Sequence, residues 1–160
     1  MIVVDSSALI AIVFAEPAVR VGTAREERAF AHPTLAALIA IVFAEPEKQS
    51  FLDIITGGER CVISAVNAHE TASVVRSRHG RAAVAALWRL LADSQIEIVP
   101  FDEFQARAAA DAFDRYGKGI DPKARLNLAD CAAYALARTM NCPLLFKGND
   151  FTETDVLRVT

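Results

Sequence analysis

The sequence predicts an α/β fold with a mostly parallel central sheet, on three observations. Short apolar runs alternate along the chain with longer stretches of helical composition, the order that builds a parallel sheet through right-handed crossovers. The first run, Ile-Val-Val at positions 2–4, is apolar without alternation, as a strand buried on both faces is. The runs close on residues that stop a strand or cap a helix, among them Asp5, Ser64 and Pro100.

Taken in order, residues 2–4 form a strand ended by Asp5, and Ser6 is the expected N-cap of the apolar helix that follows. Residues 60–64 (RCVIS) form a second strand, and Ser64 caps a helix that runs to about Arg78 and is stopped by Gly80. Residues 82–92 form another helix bearing Trp88, and residues 96–99 (IEIV) a third strand closed by Pro100. A helix over 102–116 ends at Gly117 and Gly119, and an alanine-rich helix covers 127–140. Residues 143–146 (PLLF) make a fourth strand, followed by the turn Lys147-Gly148-Asn149-Asp150, and residues 156–159 a short edge strand. Trp88 and the phenylalanines are expected in the core.

Ten residues, Ala8 to Pro17 (ALIAIVFAEP), return unchanged as Ala37 to Pro46. Removing residues 18–46, or equally 8–36, leaves one and the same shorter chain. The expectation is therefore a single domain over 1–160 carrying a 29-residue insertion or duplication within 8–46. The pattern does not return again, which argues against a solenoid. Leu9, Ile10, Ile12, Val13 and Phe14 cannot share one core slot with their copies Leu38, Ile39, Ile41, Val42 and Phe43. The first copy is tied to Asp5 by two residues and is expected to keep the slot. Residues 18–31 should extend as a charged helix, with His32-Pro33-Thr34 turning the chain. The second copy then has to bury its apolar face on this chain, a second protomer or a partner.

Apolar residues make up 53% of the chain and charged residues 23%, which suits a soluble globular protein rather than a disordered one. No apolar run approaches the roughly 18 residues of a membrane span, and the start MIVVDSS shows no basic leader or cleavage site. Cys61, Cys131 and Cys142 are too few for a disulfide framework and lack zinc spacing. They read as small core residues in a reducing cytoplasm. A net charge of -3 argues against non-specific adhesion to nucleic acid but not against a nuclease, which needs anionic metal ligands.

Four acids stand out. Asp5 ends the first strand, where α/β folds place their sites. Glu70 lies in a helix beside Ala68, Ala72 and Val74, and Asp150 follows the fourth strand. Asp130 interrupts the apolar stretch 126–134 with no lysine or arginine four residues away, and Asn127 as a merely polar neighbour. A buried carboxylate without a partner is costly, and several converging at one sheet end repel unless a divalent cation neutralises them. Oxygen ligands with few histidines favour Mg²⁺ or Mn²⁺ over zinc. Taken singly, Asp5 also reads as a strand-end turn residue, and Glu70 and Asp150 as solvated or capping residues. His69 points about 100° away from Glu70 on a helix and reads as a surface residue.

With these residues in view, the sequence resembles the PIN-domain ribonuclease toxins of the VapC type, the toxic half of VapBC toxin–antitoxin pairs. MIVVDSSALIAIVFAEP is similar to their opening strand, first acid and first helix, and SAVNAHETASVV to the segment of their second acid. RLNLADCAAYALA resembles the segment of the third acid, and PLLFKGNDFTETD that of the fourth. The likeness covers the chain outside the extra 29 residues. It implies a PIN-like three-layer sandwich with a central sheet of four to five strands flanked by helices.

The resemblance further implies Asp5, Glu70, Asp130 and Asp150 as the catalytic acids, with Asp5 and Asp130 on the metal and Ser6 and Asn127 in support. Asn149 stands where many relatives carry another acid, and Asp155 is a nearby substitute for Asp150. The implied chemistry is Mg²⁺-dependent (or Mn²⁺-dependent) hydrolysis of RNA phosphodiester bonds by an activated water. Arg76, Arg78, His79, Arg81, Lys118, Lys123 and Arg125 are candidates for backbone contact, and each also reads as ordinary surface charge. A VapB-like antitoxin, a homodimer and a cytoplasmic location are implied by the family alone, with no membrane association. The alternative is a PIN-like binding or dimerisation protein, disarmed by the duplication directly after the first acid.

Overall fold

The computed structural model describes residues 1–13 and 46–159. The charged helix expected over 18–31, the turn at 32–34 and the second repeat copy up to residue 45 lie outside the described residues.

The described elements run β1 (Ile2–Val4), α1 (Ser6–Val13), α2 (Pro46–Thr56), β2 (Cys61–Ser64), α3 (Ala65–Asp93), β3 (Glu97–Val99), α4 (Glu103–Tyr116), α5 (Leu128–Met140) and β4 (Leu144–Leu145). The four strands form one sheet in the order β3-β2-β1-β4, and every pair is parallel. Val3 lies opposite Val62 on one side and Leu144 on the other. This is the α/β fold with a parallel sheet that the alternation of strands and helices predicts, and the PIN-like sandwich that the resemblance implies. The expected fifth strand over 156–159 reduces to a single parallel bridge between Leu144 and Arg158.

The period of two along a strand divides the core into two layers. Val3, Val62 and Leu144 pack with Ala109 and Ala112 of α4 and Ala133 and Leu136 of α5. Ile2, Val4, Cys61 and Ile63 pack on the other face with Leu9 and Ile12 of α1 and Val75, Leu87 and Leu91 of α3. The first repeat copy thus fills a core slot over its described residues, with Leu9 and Ile12 fully buried. Burial of this kind contributes roughly 1.5–3 kcal/mol per side chain.

Helix α3 is two arms joined at Gly80, whose φ of 81° and ψ of -174° leave the helical region. The helix stop expected at this glycine is therefore a kink, and the second arm continues to Asp93. That arm buries Leu87 and Leu91, four residues apart. Trp88 is displaced by about 100° from that stripe and is 42% exposed, so it is not the core residue the sequence suggested. Phe104 at 67% and Phe113 at 39% exposure are likewise on the surface, whereas Phe151 is buried. All three cysteines are buried and free. Among the described residues no helix is long and apolar enough to cross a membrane.

Candidate active site

Asp5 follows β1 directly, and its backbone N–H donates to the Leu145 carbonyl of β4 at 2.9 Å. It is buried to 1% exposure at the carboxyl edge of the sheet. One carboxylate oxygen accepts from the Ser7 backbone N–H at 2.9 Å and the Ser7 hydroxyl at 2.5 Å. Ser6 is the first helical residue, so Asp5, rather than the expected Ser6, caps α1. The Ser6 hydroxyl is thereby free to reach the Glu70 carboxylate at 2.5 Å and lies 3.3 Å from Asp5.

Glu70 is carried by the first arm of α3, which begins where Ser64 caps it by accepting from the Val66 N–H. Asn67, three residues earlier on the same face, is fully buried. Its side-chain NH₂ lies 3.0 Å from Asp5 Oδ1, 3.1 Å from Ser6 Oγ and 3.1 Å from the Ala129 carbonyl.

Asp130 is the third residue of α5 and closes a capping box there. The Asn127 side-chain oxygen accepts from Ala129 N–H at 2.8 Å and Asp130 N–H at 3.0 Å, while the Asp130 carboxylate accepts from the Asn127 N–H at 2.7 Å. Asn127 thus acts through the helix end, fixing where Asp130 sits. Burial pushes the Asp130 carboxyl up to about 7; the capping hydrogen bond opposes this, and the charges of Asp5, Asp150 and Glu70 add to it. Burial also raises Asp5, against the hydrogen bonds from Ser7 and Ser6, and Glu70 adds to the rise.

Asp150 lies exposed in the turn after β4, near enough for its charge to act on Asp130. That turn is tied back to the first acid, because the Lys147 N–H donates to the Ser7 hydroxyl at 2.9 Å. Asp155, the sequence's substitute for Asp150, is engaged elsewhere. It accepts from the Tyr134 hydroxyl and pairs with Arg115 at 3.3 Å and Arg138 at 3.8 Å.

The structure therefore brings Asp5, Glu70 and Asp130 together through Ser6 and Asn67, with Asp150 on the rim. Asn67 and Ser7 were not singled out from the sequence. The i, i+3 spacing of Asn67 and Glu70 was the available signal. Arg76, Arg78 and Arg81 are exposed around the α3 kink, and Lys118 and Arg125 are exposed in the segment leading to α5. Lys123 lies 3.8 Å from Glu153, and His69 is exposed as expected.

The donor set suits a hard divalent cation. Asp5 and Asp130 are buried carboxylates, and among the described residues no ion pair involves either of them, Glu70 or Asp150. Among the same residues, no three acidic, histidine or cysteine side chains are grouped so that they could hold a metal ion between them. The oxygens offered are of the kind Mg²⁺ and Mn²⁺ accept with several waters retained.

Residues 36–157 match the PIN domain family. The match begins beside the second repeat copy, although β1 and α1, which carries the first copy's residues 8–13, occupy the sheet and core described above. The chain is 43% identical over 94 residues to ribonuclease VapC42 of Mycobacterium tuberculosis, covering 59% of this chain and 72% of that protein. It is 35% identical over 109 residues to ribonuclease VapC28 of the same organism, covering 68% and 82%. It is also 46% identical over 90 residues to a ribonuclease VapC of Mycolicibacterium smegmatis, covering 56% and 69%. The crystal structure of Mycobacterium tuberculosis VapC20, a sarcin-ricin loop cleaving toxin, superposes with a TM-score of 0.67 at 12% identity, over 99% of this chain and 98% of that one. At that identity the likeness is one of fold. The chain belongs to the PIN domain family, among the toxins of the VapC type.

Proposed function

We propose that this chain is a divalent-metal-dependent endoribonuclease, the toxin of a type II toxin–antitoxin pair. The observation that carries the reading is the pair of buried carboxylates, Asp5 and Asp130, with no ion pair to neutralise them among the described residues. Asp5 and Asp130 would hold Mg²⁺ or Mn²⁺, which supplies activation of a water near neutral pH and neutralises charge developing on the cleaved phosphodiester.

The chain's own residues do the rest. Ser7 and Asn67 fix the Asp5 carboxylate, and Ser6 holds Glu70 at the site. The capping box presents Asp130 from the start of α5, where the helix N-terminus favours negative charge. Asp150 adds negative charge from the rim. Arg76, Arg78, Arg81, Lys118 and Arg125 are the side chains proposed to meet RNA phosphates. The 1–160 chain is proposed as one PIN-like domain with a 29-residue duplication within 8–46. A VapB-like antitoxin and a second copy of the chain are proposed as partners on the relatives' account.

The test is cleavage of an RNA panel with Mg²⁺, with EDTA, and with Asp130→Asn. Cleavage that disappears in both of the latter supports the reading. Cleavage that survives Asp130→Asn with intact folding refutes the assignment of the site.

A further inference from the structure

Asn67 is buried to 0% exposure with its side-chain NH₂ set among three oxygens. Its amide orientation is fixed by its neighbours. The Asp5 carboxylate oxygen and the Ala129 carbonyl oxygen accept hydrogen bonds and cannot donate them, and both lie within 3.1 Å of Nδ2. Turning the amide over would set its oxygen against two other oxygens. The cost of the observed orientation is an Asn67 Oδ1 without a hydrogen-bond partner among the described residues, which is an expensive arrangement to keep in a core.

The third contact orders a proton. Asn67 Nδ2 lies 3.1 Å from Ser6 Oγ and can only donate to it. The Ser6 hydroxyl has one proton of its own, and its short partner is Glu70 at 2.5 Å. With an N–H directed at its lone pair, the hydroxyl is set to give that proton to Glu70.

One amide, its two N–H groups shared over three acceptors, therefore reaches Asp5, Ser6 and through it Glu70, and the Ala129 carbonyl of the helix that bears Asp130. We propose that Asn67 is a positioning residue for the metal-dependent reaction, holding α1, α3 and α5 so that their acids face one cation. This rests on the reading given under Proposed function.

The test compares Asn67→Leu, which keeps the approximate volume and removes both donors, with Asn67→Thr, which returns one. Mn²⁺ affinity is measured by titration calorimetry on the full chain, and Mg²⁺-dependent kcat and KM are measured on RNA. Asn67→Leu should weaken Mn²⁺ binding and lower kcat by roughly 10–100-fold, the usual cost of losing a residue that orients a metal ligand. KM for RNA should move by less than about threefold, because Asn67 does not touch substrate. Asn67→Thr should fall between. In a cycle with Ser6→Ala, the second change should cost little once the first is made.

Variants that keep the native circular dichroism and bind Mn²⁺ like the unaltered chain overturn the proposal. A merely structural asparagine would lower Tm and leave metal affinity untouched. If neither variant folds, the Asn67 side-chain amide of the ¹⁵N-labelled unaltered chain decides. Slow exchange and a shift on adding Mg²⁺ support positioning, and a signal indifferent to Mg²⁺ overturns it. An unaltered chain that binds no Mn²⁺ refutes the proposed function itself, and this inference with it.

Discussion

Asp130 carries the sharpest consequence at the scale of single residues. Its folded-state value of about 7 stands above the ordinary aspartate value near 3.9, so the folded protein binds this proton more tightly than the unfolded chain. Stability from this group is fully present below about pH 4 and is lost as pH rises through about 7. Asp5, also raised by burial, works in the same direction. In EDTA, Tm should therefore fall between pH 5 and pH 8. Asp130→Asn should flatten that fall and melt above the unaltered chain at pH 8. A Tm that rises with pH over this range would contradict the burial argument. Asp155 has the opposite sign, since Tyr134 and the neighbouring arginines hold it below the usual carboxylate range. Its contribution is complete above about pH 4 and is lost as pH falls through its lower folded value. Tyr134→Phe removes the hydroxyl donor and should cost about 1 kcal/mol in urea unfolding, the partial exposure of Asp155 keeping the figure low.

At the scale of elements, the ends and breaks of helices do the positioning. Asn127 caps α5 with two backbone N–H groups on its side-chain oxygen, and Asn127→Ala should lower stability by about 1 kcal/mol. Gly80 has a φ of 81° and a ψ of -174° with open space around a would-be Cβ, so Gly80→Ala meets only backbone strain, about 1–3 kcal/mol. Equilibrium denaturation reads both. Such features also show where the sequence was informative. β1 and β2 are apolar on both faces, and Ser64, Asp102 and Asn127 announce the starts of α3, α4 and α5. The acids were legible because a carboxylate amid alanine and leucine is costly. Ser7 and Asn67 were not, because their bonds to Asp5 span a turn and the gap between distant elements, and only the three-residue spacing of Asn67 from Glu70 pointed to either. Trp88 misled because hydrophobicity alone does not say which side of a helix a residue occupies.

For the whole molecule, the duplication sets the question. The first repeat copy supplies Leu9 and Ile12 to the core, and Asp5 is pinned by Ser7, Asn67 and Leu145. The contacts that pin Asp5 come from residues outside the 29 extra ones. The chain lacking residues 18–46 should fold with the same circular dichroism, bind Mn²⁺ within about threefold of the full chain, and cleave the same RNAs. Cleavage by the shortened chain alone would show instead that the duplication disarms an intact site.

The most direct measurement is a crystal soaked with Mn²⁺ and examined for anomalous scattering. A peak is expected about 2.1 Å from carboxylate oxygens of both Asp5 and Asp130, absent from crystals of Asp130→Asn. A well-ordered site with no such peak, or a peak held by other residues, would contradict the proposed metal site.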